Sequence, residues 1–282
     1  MPTLSPRDIR RKMRSIRNIQ QICRAMRAVA AVRLRRAEER LHGARPYAQT
    51  LTEMVSRLAA AGVEHPWLEQ RAEASPVGVV VISSDKGLCG SYNVNLIRAA
   101  EDLARREDPV SLAALGRKAH DFFARRGYQV RSRLVPLGAE PEWGQVAQVA
   151  DAIGELYTAG AWNRVVLVHT QFVSAARTRV NISDLLPVSA PPAAEHGVEY
   201  IYEPSPQALL AELLPRYLRT RLYLATLEAA ASEHASRVIA MAAASDNAQE
   251  MLDDLTLSFN KARQALITKE LTDIVGAAEA LR

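Results

Sequence analysis

The sequence is poor in aromatic residues, which make up 5% of its 282 residues, although hydrophobic residues make up 48%. Alanine supplies much of that apolar content, and this composition favours helices that pack closely along their length. Cysteine is also rare: Cys23 and Cys89 are far apart and match no metal-binding or disulfide framework. Such cysteine usage is typical of a reducing compartment.

Long hydrophobic runs and clusters of chemically active side chains are absent too. No run of eighteen apolar residues occurs, so we expect no membrane-spanning helix, and the first residues show no apolar segment typical of a secretory signal. The six histidines are scattered and no paired carboxylates stand out on a helix face. We therefore expect no catalytic residue, no metal site and no cofactor site.

Acidic residues are scarce near the start of the chain. Between Arg7 and Arg45 there are thirteen lysines and arginines against three acids. Charge of one sign over such a length indicates an acidic partner. A nucleic acid and an anionic protein surface both fit this description.

Proline and glycine are rare in the first 58 residues, and the apolar residues there follow a helical period. Ser5 and Pro6 form a helix start, with a capping serine followed by proline at the first helical position. The steps between apolar positions are all three or four residues long, which predicts one long helix with a narrow apolar seam. The predicted seam consists of Ile9, Met13, Ile16, Ile19, Cys23, Met26 and Ala30.

The last 75 residues repeat this pattern. The predicted seam there runs through Met241, Ala244, Ala248, Leu252, Leu255, Phe259, Ala262 and Leu266, and continues one place over through Ile267, Leu271, Ile274, Ala278 and Leu281. The offset breaks the heptad phase. Because long helices gain most of their stability by burying an apolar face, two such seams predict an antiparallel coiled coil of the N- and C-terminal helices.

Strand-like and helix-like segments alternate in the middle of the chain, which predicts an α/β domain with a mostly parallel sheet. The predicted strands are 77–83, 110–116, 128–135 and 163–172, with two further candidates at 177–187 and 198–204. The predicted helices between them are 94–106, 117–126 and 145–159. We divide the chain into an N-terminal coiled-coil helix (1–60), the α/β domain (75–203) and a C-terminal coiled-coil helix (207–282).

The loop "SSDKGLCGSYNVN" (83–95) follows the first strand, where a nucleotide could bind. It matches neither the dinucleotide fingerprint nor the P-loop, because its two glycines are three residues apart and no Lys-Ser/Thr pair follows. It reads best as a tight exposed turn whose Asp85-Lys86 pair offers a contact surface and whose asparagines, Asn93 and Asn95, cap the next helix. Cys89 as a nucleophile would need a partner such as His120 or His169, and no spacing argues for either.

Three functions remain open from the residues alone. The chain could be a mechanical or structural subunit. It could be a nucleotide-binding α/β protein with helical arms, for which binding by the loop 83–95 would be diagnostic. It could also be a nucleic-acid-binding coiled coil that uses the basic N-terminal stripe, in which case its affinity would fall steeply with salt.

Three stretches carry a specific resemblance. "IRRKMRSIRNIQQICRAMRAVAAVRLRRAEER" (9–40), "SSDKGLCGSYNVNL" (83–96) and "ASDNAQEMLDDLTLSFNKARQALITKELTDIVGAAEAL" (244–281) resemble, in order, the signature segments of ATP synthase γ subunits. The resemblance covers both ends and one internal motif, and segments such as "HTQFVS" and "SDLLP" fit the same pattern.

The resemblance implies a central rotor shaft without an active site or cofactor. In this family the terminal helices coil together inside the ring of three α and three β subunits, while the α/β domain lies with the ε subunit and the membrane c-ring. Ion flow turns the c-ring and the shaft, and the shaft drives the β subunits through their catalytic states. The resemblance therefore implies α, β, ε and the c-ring as partners, and neither nucleic acid nor direct insertion into the membrane.

The resemblance also implies which residues meet the α/β ring. Arginines of the first helix match positions that face an acidic belt on β, the loop lies near the C-terminal domains of β, and polar residues of the last helix match positions that meet a β catch loop. These residues are Arg24, Arg27, Arg33, Arg35, Arg36, Asp85, Lys86, Cys89, Arg263, Gln264, Thr268 and Glu270. The tip from Leu271 to Leu281 would lie in an apolar sleeve at the top of the ring.

Two positions depart from the family pattern. Ala28 stands where many relatives have methionine, and Pro215 where relatives often have a basic residue. The chain also lacks the cysteine-bearing insertion of chloroplast forms, and its first helix begins almost at Met1. We therefore expect a bacterial complex, with this subunit at the cytoplasmic face of the plasma membrane.

Overall fold

The computed structural model describes residues 5–60, 63–69, 76–188 and 202–280, with side chains as far as residue 277. Its elements in chain order are α1 (Pro6–Ala60), β1 (Val77–Ile82), α2 (Tyr92–Arg106), β2 (Val110–Leu115), α3 (Arg117–Arg125), β3 (Val130–Leu134), α4 (Trp143–Thr158), β4 (Arg164–Ser174), β5 (Arg177–Leu186) and α5 (Pro206–Ala280). Two compact units share these elements: a two-helix unit (1–29 with 238–282) and an α/β unit (30–237).

The two long predicted helices are confirmed. The Ser5 hydroxyl accepts a hydrogen bond from the Asp8 amide at 3.2 Å, which is the predicted cap of α1. Pro46 and Pro215 both lie inside helices that continue past them. The predicted domain boundaries stay predictions, because the division into units cuts both long helices between their ends.

In the two-helix unit, α1 and α5 run antiparallel. The guanidinium of Arg10 lies 5.2 Å from the centre of the Phe259 ring, whereas Arg24, further along α1, donates to the hydroxyl of Ser245, which is earlier in α5. Ile9, Cys23, Ala248 and most other predicted seam residues of this unit are buried or partly buried. The antiparallel coiled coil is therefore confirmed.

The predicted seam of α5 is wrong beyond Ala262. Its described residues there, Leu266, Ile267, Leu271 and Ile274, are exposed, because no described element packs on that part of the helix.

One predicted seam position of α1 is also wrong. Ile19 is 52% exposed, and its neighbour Gln20 is 5% exposed and occupies the seam instead. The Gln20 amide donates to the Gln249 side-chain oxygen at 3.0 Å and to the Ser245 carbonyl at 3.4 Å. A polar residue can lie in the seam here because its side-chain amide has hydrogen-bond partners on α5. The spacing of apolar residues alone does not predict such a position.

The α/β unit contains a five-stranded sheet in the order β3-β2-β1-β4-β5. β1, β2, β3 and β4 pair in parallel, and β5 is antiparallel to β4. Every strand among the described residues ends within two residues of its prediction, and the three intervening helices start within two residues of theirs. The candidate strand at 198–204 falls largely outside the described residues.

Both faces of the central strand are buried, which explains its continuous "VGVVVI" run. Val79 and Val81 pack toward α2 and α3, whereas Val80 and Ile82 pack toward α4 and α5. Only glycine fits at position 78, because a β-carbon there would clash with the Trp162 ring. The carboxyl ends of β1 and β4 meet where the connections diverge to opposite faces, and the loop 83–91 lies at that end.

None of the helices in the described ranges is both long enough and apolar enough to cross a membrane.

Candidate functional site

The C-terminal part of α5 is the most exposed helical surface among the described residues. Every residue from Arg263 to Ala277 is exposed; we call this segment the bare tip. It is bare because α1 begins at Pro6 and already faces Phe259 through Arg10, so no further part of α1 remains to cover α5. The large apolar side chains left exposed on the bare tip are Leu266 (47%), Ile267 (47%), Leu271 (58%), Ile274 (66%) and Val275 (60%).

The polar residues predicted at this segment also face outward. The Thr268 hydroxyl donates to the Gln264 carbonyl at 3.0 Å, so it is satisfied within the helix. Arg263 and Glu270 form no ion pair with any described residue. The bare tip therefore offers charged and apolar side chains that have no partner in the described part of the chain.

The basic stripe of α1 is divided between the two units. In the two-helix unit, the Arg24 guanidinium donates to the Ser245 hydroxyl at 3.4 Å, and Arg27 is exposed. In the α/β unit, Arg35 pairs with Glu39 at 3.2 Å and Arg36 with Glu140 at 3.5 Å.

Arg40 also pairs with Glu140, at 2.5 Å. The stripe is thus partly neutralised by acids of the same chain. Arg33 remains exposed near the largely buried Glu233 carboxyl. Burial raises the pKa of that carboxyl, and the Arg33 charge offsets only a small part of the rise.

Asp85 acts inside the α/β unit instead of presenting its side chain to a partner. Its carboxylate accepts hydrogen bonds from the backbone amides of Arg117 (2.9 Å), Leu137 (3.2 Å) and Gly138 (2.8 Å). Two of these amides belong to the turn after β3, and the first lies at the N-terminus of α3. Asp85 therefore joins the ends of three strands around the loop.

The asparagines after the loop do not cap α2 as predicted. The Asn93 side-chain oxygen accepts from the Ser84 amide at 3.2 Å, and its nitrogen donates to the Ser84 hydroxyl at 2.8 Å. Asn95 donates to the Ser91 hydroxyl, and no side chain caps α2. The prediction failed because Asn93 finds a closer partner across the loop than along its own helix.

α5 holds the loop through a group of buried polar residues that sequence reasoning missed. The Arg237 guanidinium donates to the Gly87 carbonyl at 3.1 Å and to the Glu233 carboxylate at 2.6 Å. His234 lies between Arg237, at 3.3 Å, and the Ala139 carbonyl, at 3.4 Å. Burial lowers the pKa of His234 to about 4, so the imidazole is neutral near pH 7.

Burial also raises the pKa of the Glu233 carboxyl. The i,i+4 pair of Glu233 and Arg237 could have been noticed in the sequence. It resembles a solvent-exposed ion pair on an alanine-rich helix, and only the fold reveals that both side chains are buried.

Cys89 does not have the surroundings of a nucleophile. It is 2% exposed, and burial raises the pKa of its thiol. His120 contacts Asp121 at 3.2 Å, and His169 contacts Glu228 at 3.1 Å, so both candidate bases have other partners.

A nucleotide phosphate would meet a carboxylate at the carboxyl end of the sheet. Anions bind at helix N-termini, and Asp85 already supplies a negative charge at the N-terminus of α3. Lys86 is exposed beside it. This arrangement argues against the nucleotide-binding alternative, because a second anion would be repelled.

The chain is similar to known proteins over almost its whole length. A family model described as ATP synthase matches residues 5–281. The ATP synthase gamma chain of Heliobacterium modesticaldum is 45% identical, with 98% of each chain covered, and that of Pelotomaculum thermopropionicum is 45% identical over 100% of each.

Solved structures share the fold. A chain of the Euglena gracilis mitochondrial ATP synthase, in a structure of OSCP, F1 and c-ring, superposes with a TM-score of 0.70 at 18% identity, covering 98% of this chain and 94% of that one. A chain from the central stalk and c-ring of the Tetrahymena thermophila mitochondrial ATP synthase gives 0.60 at 24% identity, covering 79% and 99%.

Proposed function

Because this chain belongs to the family of ATP synthase gamma chains, we propose that it works as the rotating central shaft of F1. Rotation of a membrane c-ring turns the shaft, and the shaft drives the catalytic β subunits through the states that bind ADP and phosphate and release ATP. The chain itself carries no catalytic residue in this proposal. It transmits torque.

The bare tip is the observation that carries this proposal. An apolar helical surface of this extent is exposed in the chain alone, and large exposed apolar surfaces mark interfaces. A surrounding ring of subunits would cover the tip on all sides, which fits its exposure around the whole helix. A smooth contact with low polarity would also allow the helix to turn.

We propose that three surfaces meet the α and β subunits. The arginines of α1 (Arg24, Arg27, Arg33, Arg35 and Arg36) face acidic segments of β, the polar residues of the bare tip (Arg263, Gln264, Thr268 and Glu270) meet a β loop, and the loop segment containing Asp85, Lys86 and Cys89 lies against the C-terminal domains of β. Within that segment, Lys86 makes the side-chain contact, whereas Asp85 and Cys89 support the loop from within.

The remaining partners follow from the same role. We propose that the α/β unit lies with an ε subunit and the c-ring, without inserting into the membrane. The complex would then lie at the cytoplasmic face of a bacterial plasma membrane.

Reconstitution with α and β tests the function. The chain alone should show no ATPase activity, whereas an assembled α3β3γ complex containing it should hydrolyse ATP. Failure to assemble with α and β from a close relative, under conditions where the relative's own chain assembles, would contradict the proposal.

A truncation series locates the coupling surface. A chain that ends at Ala277 should assemble nearly as well as the full chain, because the residues up to that point retain the polar positions of the bare tip. A chain that ends at Ala262 should assemble poorly and give a complex with reduced turnover. Equal turnover of the complexes with the two truncated chains would show that the bare tip does not transmit torque.

A further inference from the structure

Three side chains from three different elements of the α/β unit meet around one carboxylate. Glu228 of α5 lies between Arg45 of α1 and His169 of β4. One of its oxygens is 3.5 Å from the Arg45 guanidinium, and the other is 3.1 Å from Nε2 of His169. We call Arg45, His169 and Glu228 the charged cluster. Each oxygen of the carboxylate thus contacts a different element of the fold.

The charged cluster is largely removed from water. The side chains of His169 and Glu228 are 6% and 10% exposed, and that of Arg45 is 35% exposed. Because an ionised Glu228 can only accept, Nε2 of His169 carries the hydrogen of their bond. The Arg45 guanidinium also donates to the Phe172 carbonyl at 3.4 Å. The charged cluster therefore joins α1, β4 and α5 to one another in all three pairs.

The same three elements also pack through apolar side chains. Leu34 and Leu41 of α1 belong to one buried cluster with Leu227 and Ala231 of α5 and Phe172 of β4. Burial of apolar surface is non-directional, so it holds the two helices on the sheet without specifying one register along them.

Stability alone does not account for a charged cluster at this place. Desolvation of the charges offsets much of their attraction, and apolar residues of similar volume are often at least as stabilising at such sites. The best-attested role of a buried polar contact is to specify one arrangement of the elements that it joins. Ser232, one turn further along α5, donates to the Thr170 carbonyl at 3.2 Å. Two directional contacts therefore fix α5 to β4.

Other ion pairs of the long helices are more exposed. Arg40 of α1 pairs with Glu140, and Arg219 of α5 pairs with Asp151, and each of these four side chains is at least 36% exposed. Water and salt weaken such surface pairs. They are poorer candidates for a fixed joint than the charged cluster.

We propose that Arg45, His169 and Glu228 are positioning residues that hold α1 and α5 in one register on the sheet, so that torque passes between the sheet and both helices without slippage. Both helices continue beyond the α/β unit. This inference rests on the shaft function and deepens it, because it names residues that transmit torque inside the chain. None of them belongs to the three surfaces proposed above.

The angular fluctuation of a stalled complex tests the proposal. An α3β3γ complex is fixed to a surface through β, and a bead is attached to the chain through Ala176→Cys on the exposed β4–β5 turn. Cys23 and Cys89 are buried, so the bead attaches at the engineered cysteine. Without ATP, the angular variance of the bead measures torsional stiffness. Glu228→Gln should raise this variance at least about twofold, because it removes the charge of one partner in a largely buried cluster.

A second attachment point supplies an internal control. A bead attached through Gln49→Cys, at an exposed position of α1, bypasses the joint between the sheet and the helices. Glu228→Gln should therefore leave the variance of that bead unchanged. An equal rise at both attachment points would show a general loss of structure and overturn the proposal.

Glu212→Gln is the matched substitution control on α5. Glu212 pairs with Arg216 of the same helix, and both side chains are exposed. This variant should leave the variance unchanged at either attachment point. A rise as large as that of Glu228→Gln would show that loss of any acid on α5 softens the chain, and would overturn the proposal.

An apolar version of the charged cluster separates positioning from stability. Arg45→Met, His169→Phe and Glu228→Leu together fill the site with side chains of comparable volume, so the urea midpoint of the chain should not fall. The angular variance at the β4–β5 turn should still rise as in Glu228→Gln. Unchanged stability with unchanged variance would overturn the proposal, because packing alone would then fix the helices.

The complex with the bead but without these substitutions separates this inference from the shaft function. If it hydrolyses ATP and turns the bead, but Glu228→Gln has the same variance, only the charged-cluster proposal is contradicted. If it does not assemble, or does not turn the bead with ATP, the shaft function is contradicted together with the inference that rests on it.

Discussion

Two stretches of the same helix, α5, have opposite environments. Every residue from Ala225 to Ser232 is buried, whereas every residue from Arg263 to Ala277 is exposed. The first stretch packs on the sheet and on α1 within the α/β unit. The second has no covering element among the described residues. Helical periodicity thus predicts that a face will be covered, but not whether the same chain covers it.

The difference extends to polar groups. In the buried region of α5, Glu228 lies within hydrogen-bond distance of His169, and Ser232 donates to the Thr170 carbonyl. On the bare tip, the threonine hydroxyls bond only to their own helix. Buried polar groups need fixed partners, whereas exposed ones can keep water or exchange it for another subunit.

The largest expected effect comes from opening a cavity in the buried stretch. Leu227→Ala should lower the free energy of unfolding by about 2–5 kcal/mol, since Leu227 is 1% exposed and packs in the core of the α/β unit. Urea unfolding of the full chain, followed by circular dichroism, measures the change. A loss below about 1 kcal/mol would mean that this stretch is not packed as described.

A pH titration tests the buried polar group on α5. The pKa of His234 is lowered from 6.5 to about 4, so between these values the unfolded chain binds a proton that the folded chain does not. Stability should therefore be constant above about pH 6.5 and fall toward pH 4, by up to about 3 kcal/mol from this residue alone.

His234→Gln is the matched control for that titration. Glutamine keeps a donor for the Ala139 carbonyl but cannot titrate, so the variant should lose stability less steeply than the parent between pH 6.5 and 4. Identical pH dependence of the two chains would contradict the assignment of a neutral buried imidazole.

Removing the Asp85 carboxylate should have an intermediate effect. Asp85→Ala leaves three backbone amides without their acceptor and should cost about 2 kcal/mol of unfolding free energy. Asp85→Asn keeps an acceptor oxygen and should lose less. Hydrogen exchange at residues 137–138 should rise in the alanine variant, and unchanged exchange there would show that Asp85 does not hold this turn.

The smallest effect on the chain alone should come from the bare tip. Leu271→Ala should change its unfolding free energy by less than about 0.5 kcal/mol, because Leu271 is 58% exposed. The same substitution should weaken assembly with α and β, measured by the fraction of chain recovered in the complex. If Leu271→Ala destabilised the chain and left assembly normal, the bare tip would contribute to folding and not to assembly, which would contradict the comparison of the two stretches.

Much of the fold could be predicted from sequence patterns. The continuous apolar run of β1 indicated its burial directly, and so did most of the seam of α1 and that of α5 as far as Ala262. The serine-proline pair at Ser5 indicated where α1 begins. The exchange of Ile19 for Gln20 in the seam could not be predicted, because it depends on acceptors on α5 that are more than two hundred residues away. A pattern of hydrophobic residues cannot predict that an amide side chain is buried with hydrogen-bond partners.

The candidate site was predictable to a smaller degree. The bare tip residues are exposed in the chain alone, and their contact with other subunits stays a prediction. The inward roles of Asp85 and Cys89 were not predicted, because loop composition does not reveal which side chains turn toward the sheet. The charged cluster also required the fold, since its residues come from three separate elements.

Hydrogen exchange before and after assembly tests the central claim most directly. In the chain alone, amides of residues 263–277 should exchange much faster than those of residues 225–232, because no element in the described part of the chain packs on the bare tip. In the complex with α and β, exchange at residues 263–277 should slow by at least about tenfold, while residues 225–232 stay unchanged. If the amides of the bare tip exchanged equally fast in the free chain and in the complex, its role as the surface that the ring covers would be contradicted.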